Sequence, residues 1–203
     1  MEEYVAESFI LHFCTHFGFP ANVKSTALQL LKCTQGKIVI DIHNMIYLVL
    51  LLSTKLEDIQ ESVFPKLKLF YNRQLKEELI YQKEIEMIKL IDYNFSFSNA
   101  YMAMFGICIS LNEKGKINFR DDDFSKLEKL LDLCLVVCYP NLKIAIIFPI
   151  IKYYNIYGEK LKYLLITYKL DEHNIDVMAI NAKNVKLLNK KDLFHILDTS
   201  NNN

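Results

Sequence analysis

Met45-Ile46-Tyr47-Leu48-Val49-Leu50-Leu51-Leu52 is apolar at every position, and a second such run, Ile144-Ala145-Ile146-Ile147-Phe148-Pro149-Ile150-Ile151, begins 99 residues later. Eight residues fall well short of the roughly 18 to 20 that cross a bilayer. Each run instead reads as the middle of a helix that is apolar on all sides and must be surrounded by other elements. Two such helices at this spacing predict a half-chain repeat, in which polar-faced helices wrap around one central helix in each half. The expected fold is all-α, with two five-helix repeats, each around a buried central helix. Composition points the same way. Five Gly and four Pro in 203 residues lie far below the roughly 12% of average usage, too few for the turns of a β-sandwich or barrel.

Outward from the first run, Asp41 is placed as the N-cap of the central helix, which extends to about residue 55. Before it, residues 2–17 carry Phe9, Ile10, Phe13 and Phe17 at helical spacing and stop at Gly18 and Pro20, and residues 21–34 form a second helix ended by Gly36. After it come helices near 60–71, with Pro65 in its course, and 74–92. The second half echoes this with 99–111, a loop at 112–118 around Gly115, then 121–138, 141–156, 158–167 and 171–188, and a last piece near 192–197. Pro149 should kink or shorten its helix, because it removes one backbone bond and clashes with the preceding turn. The organisation expected is a first repeat over 1–95, a second over 96–188 and a short, partly disordered tail over 189–203.

The chain carries 24 Lys+Arg against 24 Asp+Glu. That balance removes the electrostatic case for a dedicated nucleic-acid binder, which normally carries a basic stripe. Only Arg73 and Arg120 are arginines, so a site of several bidentate guanidinium forks cannot be assembled. Cys14, Cys33, Cys108, Cys134 and Cys138 are odd in number and sit mostly in apolar segments without a secretory leader ahead of them, which suits a reducing compartment.

Glu84 is the residue that geometry singles out. At about 100° per residue, Ile80, Met87, Ile88 and Ile91 define one apolar stripe with Glu84 in its middle, whereas Glu86 falls on the polar side. A carboxylate there calls for a cation, since unpaired burial costs several kcal/mol. Lys55, at the end of the all-apolar helix and followed by Leu56, Glu57 and Asp58, is the candidate. The residues alone leave open that Glu84 rims the stripe and is solvated.

Other constellations are weaker. His12 and His16 stand at i, i+4 as in a zincin helix, but Phe13 occupies the place of the general base and no third ligand is evident. Cys134 and Cys138 share a helix face among Leu133, Leu135 and Val137, which reads as core. Asp121, Asp122 and Asp123 open a helix, where anions are expected at the positive dipole end. The lysines of 183–191 read as a solvated face. No phosphate loop, nucleophile elbow or dinucleotide fingerprint is present, so no catalytic residue, cofactor or metal is expected.

Two five-helix repeats around apolar third helices are the layout of the cyclin-box fold, and specific residues resemble the cyclin family. Leu50-Leu51-Leu52-Ser53-Thr54-Lys55-Leu56-Glu57-Asp58 resembles the family's "LASKxEE" segment. Glu84 through Tyr93-Asn94-Phe95 is similar to its fifth-helix pattern, a glutamate ahead of an "FDL"-like ending. Among its branches, the transcription cyclins of the cyclin H type are most similar: Phe9-Ile10-Leu11-His12-Phe13-Cys14, Asn99-Ala100-Tyr101 with Phe105-Gly106, and Tyr139-Pro140-Asn141-Leu142-Lys143-Ile144-Ala145 resemble its first helix and the openings of its second box and of that box's buried helix. The likeness spans about residues 4–170. Lys32-Cys33 replaces the usual "RF", the extra N-terminal helix is missing or residual, and the "MRAIL" docking patch of cell-cycle cyclins is absent.

The resemblance implies a non-catalytic, nuclear subunit that binds and activates a cyclin-dependent kinase of the TFIIH type, with a RING-finger assembly factor as a further partner. Lys55 and Glu84 would form the polar anchor, Leu56, Ile88, Tyr93 and Phe95 the apolar pocket beside it, and Glu57 and Asp58 the rim charges. Substrates would be the RNA polymerase II C-terminal domain and kinase activation loops. The alternatives are another transcription cyclin (C, L, T or K type) and a TFIIB-like DNA-binding cyclin-box protein.

Overall fold

A computed structural model describes residues 4–59, 63–71, 77–137 and 141–184. Among them there are ten helices and no strand. The first five are α1 (Val5–His16), α2 (Ala21–Thr34), α3 (Ile42–Leu56), α4 (Val63–Tyr71) and α5 (Glu77–Leu90). The second five are α6 (Ala100–Glu113), α7 (Asp121–Val137), α8 (Leu142–Tyr153), α9 (Gly158–Tyr168) and α10 (Glu172–Asn184). The described residues divide into two compact units between Ser98 and Asn99.

In the first unit, α1, α2, α4 and α5 all pack on α3. Every residue of α3 from His43 to Thr54 is buried, as the apolar run requires. Near its end the hydroxyls bond back into the helix: the Ser53 hydroxyl donates to the Leu50 carbonyl (2.9 Å), and Thr54 donates to the carbonyls of Leu50 and Leu51. Asp41 caps the helix, accepting from the Asn44 amide at 3.0 Å. A cluster of rings joins α1 to α4, with Phe70 edge-on to Phe9 (5.2 Å) and to Phe13 (5.6 Å). Pro65 stands in the first turn of α4, where its missing N–H would have no helical partner anyway. After α5 the chain is fastened to α2 by Ser25 and Gln29, whose side chains donate to the Ser98 carbonyl at 3.1 and 2.8 Å.

In the second unit, α6, α7 and α10 pack on α8, whose residues Ile144 to Ile150 are all buried. Asn141 caps α8 through a 3.4 Å bond from the Ile144 amide, the counterpart of Asp41 on α3. Tyr101 is fully buried and its hydroxyl donates to Asp132 at 2.6 Å, tying α6 to α7. The helix continues through Pro149 but ends at Tyr153, sooner than the expected residue 156. Asn155 then turns left-handed at φ +48°, and the Ile156 amide closes on the Ile151 carbonyl at 3.0 Å, the Schellman pattern. The stop is therefore made by an asparagine six residues past the proline, with no glycine to announce it. The expected starts near 60 and 74, Cys138, Tyr139 and Pro140, the extension of the last helix to 188, the piece near 192–197 and the tail over 189–203 lie outside the described residues.

Candidate functional site

Lys55 lies in the last turn of α3 and Glu84 in the middle of α5, and these two helices pack together. The Lys55 Nζ donates to both carboxylate oxygens of Glu84, at 2.6 and 2.8 Å. Glu84 is only 14% exposed on its side chain, while Lys55 is 47% exposed. The periodicity explains the asymmetry. Ile80 and Met87, on one side of Glu84, are fully buried in the core. On the other side, Ile88 is half-buried and Tyr81 and Ile85 emerge into solvent. Glu84 thus stands where the apolar stripe leaves the core, and the lysine meets it from α3. Tyr81 adds a second contact, its ring centroid 5.6 Å from the same ammonium, within the reach of a cation–π attraction. Glu86, on the polar side, pairs with Lys83 at 2.5 Å.

Two helix ends frame the pair. Past α3, the Asp58 amide bonds to the Lys55 carbonyl and the Ile59 amide to that of Thr54. Past α5, the Asp92 amide bonds to the Lys89 carbonyl and that of Tyr93 to Ile88. Both are Schellman closures, and both use non-glycine residues in the left-handed region: Asp58 (φ +53°), Asp92 (+52°) and Tyr93 (+56°). Such a conformation costs an L-residue roughly 1 to 2 kcal/mol. The turn after α5 leads into Tyr93 and Phe95, which are exposed by 61% and 43%.

The acidic residues after Lys55 behave differently from one another. Glu57 faces α2, where its carboxylate accepts from the Asn22 amide (2.6 Å) and the Thr26 hydroxyl. Asp58 is exposed. Leu56 is half-buried beside Lys55. The structure thus brings Lys55 and Glu84 together, with Leu56 at the end of α3, Ile88 one turn further along α5, and Tyr93 and Phe95 on the segment that follows. Sequence reasoning missed Tyr81 and Ile85, whose signal was present: α5 has more apolar positions than one stripe can bury, so some must remain outside.

His16 packs on the rings of Phe17 (4.8 Å) and Phe70 (5.3 Å), and His12 is half-buried. Cys134 is buried, and burial pushes the Cys108 thiol up to about 12, with the Asp123 charge adding to the effect. Asp123 accepts from the Tyr153 hydroxyl (2.7 Å), the Tyr154 hydroxyl (3.0 Å) and the Arg120 amide (3.0 Å). The phenol of Tyr153 chiefly holds its carboxyl below the usual range. Asp121 and Asp122 are exposed. Among the described residues no group of three or more His, Cys, Asp or Glu could hold a metal ion, and no helix is long and apolar enough to cross a membrane.

No protein-family model matches the chain, and no curated protein matches it. Among solved structures, it is similar to a chain in the structure of the CAK complex from Chaetomium thermophilum bound to ATP-gamma-S, with a TM-score of 0.59 at 15% identity. The match covers 94% of this chain and 61% of that one. This chain therefore spans about three fifths of the length of its neighbour, and the likeness is one of fold: all-helical and cyclin-like.

Proposed function

We propose that this chain is a non-catalytic regulatory subunit, built of two cyclin boxes, that binds and activates a cyclin-dependent kinase through the face around Lys55 and Glu84. The observation that carries this reading is the two-pronged bond between them at the open edge of α3 and α5, flanked by exposed Tyr81, Ile85, Tyr93 and Phe95. An ammonium has three N–H donors. Two are taken by Glu84, leaving one for a backbone carbonyl of the partner. Apolar anchors around a polar contact are how interfaces concentrate binding energy.

A kinase is active only when a glutamate of its regulatory helix pairs with the ATP-contacting lysine. A rigid surface that binds the helix in that position alone shifts the equilibrium by its differential affinity, and moving it from 1:99 to 99:1 takes roughly 5.5 kcal/mol. One charge contact cannot supply this, so the exposed rings and Ile85 must carry most of it. Within the family, the reading is cyclin H-like: a nuclear kinase module of the TFIIH type, a RING-finger assembly factor beside it, and phosphorylation of the RNA polymerase II C-terminal domain and of kinase activation loops.

The test is reconstitution with the TFIIH-type kinase subunit and a polymerase C-terminal-domain peptide. The full chain should stimulate phosphorylation, and Lys55→Glu should abolish the stimulation while the helical spectrum and melting are kept. Phosphorylation that is unchanged by adding the wild-type chain would overturn the reading.

A further inference from the structure

In the second unit, the turn after α6 and the turn between α8 and α9 enclose a cleft of about 540 Å³, within the range of pockets that hold ligands. Lys116 and Asn118 come from the first turn, Tyr154, Asn155 and Tyr157 from the second, and Lys160 from the first turn of α9. None of these residues belongs to the face around Lys55.

The charges of this cleft are not balanced locally. The Lys116 ammonium lies 5.0 Å from the centre of the Tyr163 ring, and neither Lys116 nor Lys160 has an ion pair among the described residues. The carboxylate on the wall, Glu159, is 91% exposed and turned to Lys162 at 3.4 Å. Beside Lys116, Lys114 donates to the Tyr163 hydroxyl at 3.0 Å, a bond that lowers the phenol's pKa and raises the lysine's. Two lysines, Lys116 and Lys160, thus line the cleft, with Lys114 next to Lys116 on the Tyr163 side. The rim supplies the apolar counterpart: Tyr157 is 79% exposed, with the exposed amides of Asn118 and Asn155 nearby to pair with a peptide backbone.

We propose that this cleft binds an acidic peptide segment of a partner protein, with Lys116 and Lys160 meeting its carboxylates and Tyr157 receiving an apolar side chain. Charge complementarity selects the occupant. Lysines act as point charges, so two of them in one cleft suit carboxylates spaced along a peptide. A duplex would demand a longer basic track than a chain of zero net charge offers.

The experiment is fluorescence anisotropy of the full chain with a fluorescein-labelled Gly-Glu-Glu-Phe-Glu-Glu-Gly peptide and its glutamine counterpart. The glutamate peptide should bind saturably and lose affinity as salt rises. The glutamine peptide should bind at least about tenfold more weakly, and Lys116→Glu and Lys160→Glu should each cost about tenfold, as expected for loss of a charge-assisted contact. Tyr157→Ala, which keeps every charge, should weaken binding severalfold, and Lys55→Glu should leave it unchanged. Absence of saturation, equal affinity for the two peptides, or indifference to both lysine reversals in variants with an intact helical spectrum would each overturn the proposal.

Discussion

Two lysine–glutamate pairs in the first unit differ in how much water reaches them. Lys32 donates to Glu7 between α2 and α1, with side chains 16% and 2% exposed, and its ammonium also sits 5.6 Å from the Tyr4 ring. Lys55 and Glu84 are nearer the surface. Breaking a buried pair leaves an uncompensated charge and costs roughly 3 to 5 kcal/mol, whereas an exposed pair contributes about 0 to 1 kcal/mol. Lys32→Ala should therefore destabilise the chain by about 3 kcal/mol, and Lys55→Ala by less than about 1 kcal/mol, in urea denaturation followed by the helical signal. Equal losses would mean that Lys55 serves the fold rather than a face. The pairing of Lys55 with Glu84 was legible because the carboxylate interrupts a periodic stripe and the lysine ends an apolar one. The inward turn of Glu57 was not: its partners Asn22 and Thr26 lie 35 and 31 residues away, and no local pattern encodes that contact.

At the scale of elements, the repeat shows most clearly in how the two central helices start. Asp41 and Asn141 hold the same cap position on α3 and α8, and each accepts a bond from the amide three residues on. Replacing either cap by alanine should cost about 1 kcal/mol. The two differ in acid. Burial pulls the Asp41 carboxyl up, but the bonds from the Asn44 amide and side chain outweigh it and leave the group below its ordinary value. The unfolded chain then takes up its proton at a higher pH than the folded one does. The stabilisation is complete above the unfolded pKa, near 4, and is lost as pH falls through the folded value. Asp41→Asn keeps a good cap, so it should match wild type within about 0.5 kcal/mol at neutral pH and lose less stability between pH 5 and pH 2 in chemical denaturation. A variant with the wild-type acid slope would exclude Asp41 as a contributor. Helix starts were readable from these caps, and α2 was readable at both ends from Pro20 and Gly36. The ends of α3, α5, α8 and α9 were harder, because Asp58, Asp92, Asn155 and Lys169 adopt the left-handed turn without glycine. At Lys169 (φ +53°) glycine should relieve that strain and raise the melting temperature, since the left-handed cost of roughly 1 to 2 kcal/mol exceeds the entropy cost of about 0.5 to 1.

Across the whole molecule, 24 positive and 24 negative side chains cancel. Lys55 answers Glu84, Lys32 answers Glu7, Lys116 and Lys160 line a cleft, and Lys114 bonds to Tyr163. This distribution separates the two activities that the fold could support. A protein that follows duplex DNA neutralises several phosphates, and the logarithm of its affinity falls with that of salt by about 0.9 for each one. Three lysines would give a slope no steeper than about −3, and non-specific affinity of that origin is weak at physiological salt. The kinase-activating face proposed around Lys55 needs no such track; it relies on exposed apolar groups beside one fixed charge. Duplex DNA should therefore give no mobility shift with the full chain at physiological ionic strength, while the chain that fails to shift DNA should still form a complex with the kinase subunit in size-exclusion chromatography. A salt-resistant shift with a slope steeper than about −5 would require a basic surface outside the described residues, and would favour the DNA-binding branch of the fold over the kinase-activating one.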